Sequence, residues 1–500
     1  MPVDTPSEAY KEAMPKWERC RDAYEGGDAI KAKGDKYLPY LDSHVNANGL
    51  MKPESGRYSA YKERALWYNA TGRTVDGLAG GIFQKAPKIK AEQEVMDQLE
   101  DVTLSGLTAE LFALHAAREV LKVGRYGILV DHTKPDPNNR NIPNRPYWVR
   151  YRTEDILDVR VRVLGGDETL VRVVLRECVP EDDPNDPFVT KERTQYRVLE
   201  LIDGQYTQTE WVEKETESGK KEWVRGETEV ITRRGAPLTF IPFVPMGPTS
   251  TTHEIEKPPL LDLVDVNISH YRTSADLEHG RHFTALPTPW VSGASTASDS
   301  APLTIGSSSA WMLPTGAVAN MLEFTGQGLG ALERADEEKR HKMAVLGARL
   351  LEQQQSKSNV NESAASANLR HAGEQATLKT LAQSLETGLT MVLRWHAWWV
   401  STEEKPQDTG ALFELNKEFS TLRMSPEELR AMTEALQGGA ITPEEFYYNL
   451  EQGGLAIPGL SFADRQAEIE AEKEKRAARM PAPPPVTPEE DSQADGGGGV

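Results

Sequence analysis

The sequence predicts an α+β chain whose architecture is carried by long helices, and three observations predict it. Apolar residues recur at three- and four-residue steps from 328 to 351 and again from 361 to 400. A third such face, opened by Pro258-Pro259, runs to about His282. Between 126 and 245 the apolar residues instead alternate with polar ones, the period of strands. At 1.5 Å per residue the first two patterns would be roughly 36 and 60 Å long. The mean helix has only about 11–12 residues, so stripes of this length need long neighbours to bury against.

Taken in order, residues from Ser7 to about Gly34 read as a charged helix. Tyr58 to Lys85 reads as a helix studded with small residues, whose glycines mark close packing or, at Gly80-Gly81, its end. Thr108 to Val123 is a further helix leading into Tyr126-Gly127-Ile128-Leu129-Val130-Asp131. From there to about Pro245 the alternation predicts an antiparallel meander with one wet face. Arg150, Arg152, Arg160, Arg162 and Arg172 fall on that face; a nucleic-acid-binding sheet is the sharper alternative, but no aromatic platform accompanies them.

In the helix opening at Pro258, the face is Leu260, Leu263, Val264, Asn267, Ile268, Tyr271 and Ser274. Residues 283 to 325 predict short strands around a Ser-, Ala- and Gly-rich stretch. The stripe of the next helix is Leu329, Leu332, Ala335, Met343, Leu346 and Leu350, and that of the longest is Leu369, Leu378, Leu381, Leu385, Leu389, Val392, His396 and Trp399. Between them lies the polar run Glu352 to Asn361. Phe413 to Phe419 predicts a short strand or helix. Ser425-Pro426 and Thr442-Pro443 are helix starts, with Ser or Thr as N-cap and proline at the first helical position. Phe462 to Met480 reads as a charged helix, and the Pro-, acid- and Gly-rich segment 481–500 as disordered.

Composition narrows function. The 500 residues carry a net charge of −20, from 77 acidic and 57 basic side chains, which argues against a protein that coats nucleic acid with its whole surface. Cys20 and Cys178 have neither metal spacing nor a CxxC arrangement, so a reducing setting is expected. The N-terminus lacks the regions of a signal peptide and no run of 18 apolar residues occurs, so a soluble chain without membrane contact is expected.

No motif announces catalysis. Gly326-x-Gly328-x-Gly330 opens a helix as a dinucleotide loop would, but departs from GxGxxG and has no acid-bearing strand about 20 residues on. His279 and His282, with Asp276 and Glu278, have a spacing compatible with a metal, yet also fit a solvated helix end. Trp395, Trp398 and Trp399 read as core packing or a subunit contact. The run Gln353-Gln354-Gln355-Ser356-Lys357-Ser358-Asn359 reads either as an ordinary helix–helix turn or as an amide-rich loop able to touch phosphates weakly and without sequence preference.

The order of these parts resembles the bacteriophage portal proteins, the ring-shaped head-to-tail connectors of tailed phages. The residues that carry the resemblance are Tyr37-Leu38-Pro39, Arg73-Thr74-Val75 with Gly77-Leu78, Gly80 and Ile82-Phe83, the helix opening at Pro258-Pro259-Leu260, Leu286-Pro287-x-Pro289, and the broken helix pair. The resemblance covers about residues 30 to 450. It implies a wing over 1–250, built of a helical N-terminal part and the β-rich region, then a first stem helix over 251–282, a clip over 283–325 and a second stem helix over 326–351. A tunnel loop over 352–361, a long wing helix and return over 362–424, a helical crown over 425–480 and the disordered tail complete it.

The same resemblance implies a non-enzymatic homo-oligomer of twelve subunits at one capsid vertex of the virion, assembled in the host cytoplasm and needing no cofactor. Double-stranded DNA would pass through its channel against the loop Gln353 to Asn359. The terminase large subunit and the head–tail adaptor proteins would contact the clip, at Trp290, Trp311 and Met312, and the major capsid or scaffold protein would surround the ring. Twelve copies at −20 each give −240 formal charges; an acidic channel repels phosphates and lets a duplex slide. The alternatives are a nucleotide-binding enzyme using the Gly326–Gly330 loop, or another oligomeric structural virion protein.

Overall fold

The computed structural model describes residues 2–44, 56–133, 144–183, 186–215, 220–285, 288–293, 315–322, 326, 328–348, 364–417, 426–452, 455 and 462–477. It is a mixture of helices and antiparallel sheets, the α+β class the sequence predicts. Two compact units divide it, Met1–Phe419 and Ser420–Val500.

The first unit begins with α1 (Glu8–Glu25) and α2 (Gly27–Ala32). The single charged helix expected to Gly34 is thus two, because Gly26 sits at φ +104° and turns the chain. The small-residue helix is likewise split, into α3 (Arg57–Arg64) and α4 (Ala70–Ile82). Ala65 leaves the helix at ψ 130°, and Asn69 restarts it by accepting from the Gly72 backbone N–H. The backbone groups freed by the break are satisfied from elsewhere. Asn267 Oδ1 accepts from Thr71 N at 3.2 Å, and its Nδ2 donates to the Tyr68 carbonyl at 2.8 Å. Gly80 and Gly81 do not end α4, which runs through them to Ile82.

Next come β1 (Lys88–Lys90), α5 (Gln93–Gln98) and α6 (Ala109–Val123), the last capped by Thr108, which accepts from Leu111 N. The expected single meander is two sheets. β2 (Tyr126–His132) and β3 (Pro146–Arg152) form one with a later strand, and Tyr126 to Val130 are buried on both faces. A 3₁₀ turn at Thr153–Asp155 then redirects the chain.

The wet-faced meander starts only here, as β4 (Ile156–Leu164), β5 (Asp167–Asp183), β6 (Asp186–Ile202), β7 (Gln205–Glu215) and β8 (Lys221–Val230), each paired antiparallel with the next. Arg160 and Arg162 point outward as expected, and Arg172 pairs with Glu200. A small ladder, β9 (Thr232–Arg233) with β10 (Ala236–Pro237), leads to β11 (Phe243–Met246), which joins β2. The Cβ of any larger residue at Gly127 on β2 would lie 2.5 Å from Phe243 and 2.8 Å from Ile156.

The helical part follows: α7 (Leu261–Ala285), the hairpin β12 (Thr288–Ser292) with β13 (Val318–Leu322), α8 (Leu329–Met343), a π-helical turn at Ala344–Ala348, and α9 (Ala364–Val400). The return is the strand β14 (Leu412–Glu414), which overlaps only the start of the stretch expected as strand or helix, and it pairs with β1. α7 lies between two cores, one with α1, Tyr58 and Tyr61, the other with α4, α6 and α9. α9 in turn joins that second core to a third, where Trp398 meets the inner faces of the sheets.

The second unit contains α10 (Pro426–Gln437), α11 (Pro443–Gln452) and α12 (Phe462–Ala477). The predicted start of α11 is a reciprocal capping box: Thr442 Oγ1 accepts from Glu445 N at 3.1 Å, and Glu445 Oε2 accepts from Thr442 N at 2.8 Å. Ser425 and the tail 481–500 lie outside the described residues.

Candidate channel and clip elements

α7 and α8 run antiparallel, as their cross-contacts dictate. Arg281 pairs with Glu333 at 2.9 Å near one end, Lys339 donates to the Ser269 carbonyl at 3.1 Å, and Gly347 meets Leu263 at the other. Polar side chains fix this crossing where it is most buried. His270 Nε2 lies 2.9 Å from Asp336 Oδ1, and Arg340 holds Oδ2 at 2.7 Å. At that distance Nε2 carries its hydrogen toward the carboxylate, so the Arg340 Nε lying 3.2 Å away does not donate to it. Burial lowers the His270 pKa, with Asp336 opposing.

Two glycines set how close the helices come. At Gly280 a Cβ would lie 2.7 Å from Leu329. At Gly347, in the π turn, it would lie 2.7 Å from both Leu263 and Thr74 Oγ1. Thr74 is short and buried, so it cannot withdraw. Gly347→Val is therefore expected to cost about 1–3 kcal/mol by overpacking. Gly330→Ala, where the added carbon meets nothing within 4 Å, should be neutral or stabilising by about 0.5–1 kcal/mol. Urea unfolding of both variants separates the two effects.

α7 is buried along most of its length, through Leu277, whereas α8 buries only Asp336 and Met343. The predicted α8 stripe is consequently half covered: Leu329, Leu332 and Ala335 are intermediate, and Leu346 is 46% exposed. Its opposite face is charged, with Glu333, Arg334, Glu337, Glu338 and Lys342 exposed. The glycine run before α8 serves the helix entry. Gly326 lies at φ +66° with its carbonyl accepting from Leu329 N at 2.9 Å, and the Gly328 carbonyl accepts from Ala331 N at 3.2 Å.

Between the helices, β12 and β13 pair over five residues, with Trp290 opposite Asn320. Trp290 is 42% exposed, and Val318 and Met321 are exposed on the same hairpin. Of the candidate contact residues, Trp311 and Met312 lie outside the described residues, as do Gln353, Gln354, Gln355, Ser356, Lys357, Ser358 and Asn359 of the candidate loop. The described π turn and the start of α9 bound that loop on either side.

The histidine pair is engaged by neighbours. His279 packs edge-on against Tyr61 at 5.2 Å and Phe283 at 4.7 Å, and burial lowers its pKa. His282 Nε2 lies 3.2 Å from the Arg64 guanidinium. Among the described residues no three His, Cys, Asp or Glu side chains converge on a metal-sized site, and no helix is long and apolar enough to cross a membrane.

A family model matches α7 through α9. It is described as a domain of unknown function (DUF4055), and the matched residues are 259–400. No curated protein matches the chain. Among solved structures, a chain from the virion of a native gene transfer agent (GTA) particle is 12% identical, over 80% of this chain and 94% of that one, with a TM-score of 0.37. Chains from the neck of the native particle with C12 symmetry and of the empty particle with C6 symmetry are 10% and 13% identical. They cover 79% and 81% of this chain and 93% and 95% of their own, with TM-scores of 0.36 and 0.38.

What sequence reasoning missed is the set of contacts that locks α7 to α8. His270, Gly280, Asp336 and Gly347 stand among residues of the same kinds elsewhere in the helices, and their partners are about 50 or more residues away. The signal that was available is that Gly280 and Gly347 each interrupt an otherwise strong helical pattern.

Proposed function

We propose that the chain is the subunit of a portal ring, the channel through which double-stranded DNA is packaged into and ejected from a capsid. The observation that carries this reading is α8: a long helix packed on one side only, by α7, with half its apolar stripe and a charged face left uncovered. A lone subunit has no use for such a helix, whereas a ring gives it a neighbour on its other side. The order of helix, hairpin, helix, loop and long helix is the order the resemblance to portal proteins implies. In this reading α7 and α8 form the stem, the β12–β13 hairpin is the clip that meets the packaging motor and tail adaptors, and residues 353–359 face the DNA. The chain works as a conduit: its net negative charge keeps phosphate contacts weak and the duplex mobile.

Native mass spectrometry and negative-stain microscopy of the purified chain are expected to show closed rings with a central channel wide enough for a duplex. A strict monomer under assembly-favouring conditions would overturn the reading; a closed ring too narrow for DNA would point to another structural assembly. Deleting residues 354–359 is expected to leave ring formation intact and to impair DNA packaging or retention sharply. Packaging at the wild-type level in that deletion would remove the loop from the channel's working parts.

A further inference from the structure

Strands β5 and β6 are each 17 residues long, far longer than the neighbours that support them. β4 pairs with β5 only as far as Leu175, and β7 with β6 only from Gln195. Beyond these points the two strands continue alone, still in register at Asp182 and Thr190. An isolated two-stranded ribbon is marginal in water. Its end is also apolar in the wrong place: Phe188 is 95% exposed and Val189 is exposed beside it. The flanks are acidic, with Glu181 and Asp186 exposed, Asp182 and Asp183 in the same stretch of sequence, and no basic residue from 177 to 190; Lys191 stands opposite Glu181 in the ladder.

A groove of complementary character lies in the same unit. It is an open cavity of about 890 Å³ where Phe240 and Trp395 stack at 5.9 Å and 26°, with Met391 37% exposed at the mouth. Two guanidiniums border it with their charge uncompensated. Arg233 lies 4.1 Å over the Trp398 ring and donates to the Ser401 and Glu403 carbonyls, and Arg394 donates to the Ala411 carbonyl at 3.1 Å. Neither forms an ion pair with a carboxylate among the described residues. Lys405 and His253 also line the groove, against two acids, Glu168 and Glu404.

We propose that Phe188, at the described end of the β5–β6 ribbon of one copy, enters the Phe240–Trp395–Met391 surface of the next, while Glu181 and Asp186 meet Arg233 and Arg394. The inference rests on the ring reading above and names a contact that closes the ring. The hairpin cannot fill its own groove. Leu170, which lines the groove, is on β5 at the end away from the tip, and the thirteen residues to Asp183 span roughly 40 Å at 3.3 Å each. A tip and a groove on different patches of one surface make a heterologous contact, the kind that generates rings. An exposed aromatic flanked by acids, offered to aromatics flanked by arginines, gains both apolar burial and charge-assisted hydrogen bonds.

The test is a cysteine pair, Phe188→Cys with Met391→Cys, in a Cys178→Ser background that removes the exposed native thiol. Mild oxidation of the assembled protein is expected to give a ladder of disulfide-linked species rising to the full ring on a non-reducing gel; either cysteine alone gives none. A double variant, Phe188→Ala with Asp186→Asn, is expected to form rings that dissociate at lower salt than wild type, with the monomer's melting temperature unchanged. Rings that form without the ladder, and that are as salt-resistant in the double variant as in wild type, overturn this contact and leave the ring reading standing. A wild-type chain that remains monomeric overturns both.

Discussion

Replacing Trp148 by alanine is expected to lower the unfolding free energy of the first unit by about 3–5 kcal/mol, the range for removing a large aromatic from a packed core. Trp148 is 1% exposed on β3, edge-on to Phe112 of α6 at 5.2 Å and to His396 of α9 at 6.1 Å. It thus touches both the helix before the sheet and the longest helix. No hydrogen bond of its indole N–H is lost, so the effect is one of cavity and contact alone. Urea unfolding followed by circular dichroism should show the midpoint falling with the m-value unchanged, and Trp148→Phe should recover most of the loss. A change below about 1 kcal/mol would mean that α9 does not pack on β3 as described.

Acid should weaken the same place by a separate route. His396 is fully buried, its Nε2 3.1 Å from Gln98 Oε1, and burial followed by the nearby Arg145 and His132 charges pushes its pKa down to about 3. The unfolded chain takes up the proton near pH 6.5, so the stabilisation is complete above that pH and is lost as the pH falls toward 3. At pH 5 the loss is about 2 kcal/mol, approaching 1.4 kcal/mol per pH unit. Other groups titrate below pH 5, so the informative quantity is the difference between wild type and His396→Gln. That variant should be less stable at pH 7 but show a shallower fall between pH 6.5 and 4.5. Parallel curves would place a protonated imidazole at residue 396.

The long helices were legible because their signals are local. Pro258-Pro259 starts α7, three- and four-residue spacing sustains it, and the arginines of β4 and β5 betray a wet face by alternation. The breaks were not legible. Asn69 reads as an ordinary polar residue inside a helix until Asn267, about 200 residues later, takes up the backbone groups that the break releases. The split of the sheet was hidden for a similar reason: the turn at Thr153–Asp155 contains no glycine or proline, and the strands on both sides keep the same period. Of the candidate site, the order of helix, hairpin, helix and long helix was readable from the chain. The α7–α8 lock was not, because a glycine's purpose lies in the side chain it admits, and Leu329, Leu263 and Thr74 come from other elements.

The short ladder between β1 and β14 bears on how the chain is made. Ile89 pairs with Phe413, 324 residues later, so on a ribosome adding about 5–20 residues per second β1 waits roughly 15–65 seconds for its partner. Throughout that interval a strand edge stands open to any other nascent chain. Lys88 and Lys90, both exposed, flank the one apolar residue of β1, and lysines on an open edge discourage foreign strands from pairing with it. The sequence Lys-Ile-Lys thus guards a join that is completed only when nearly the whole first unit has been synthesised.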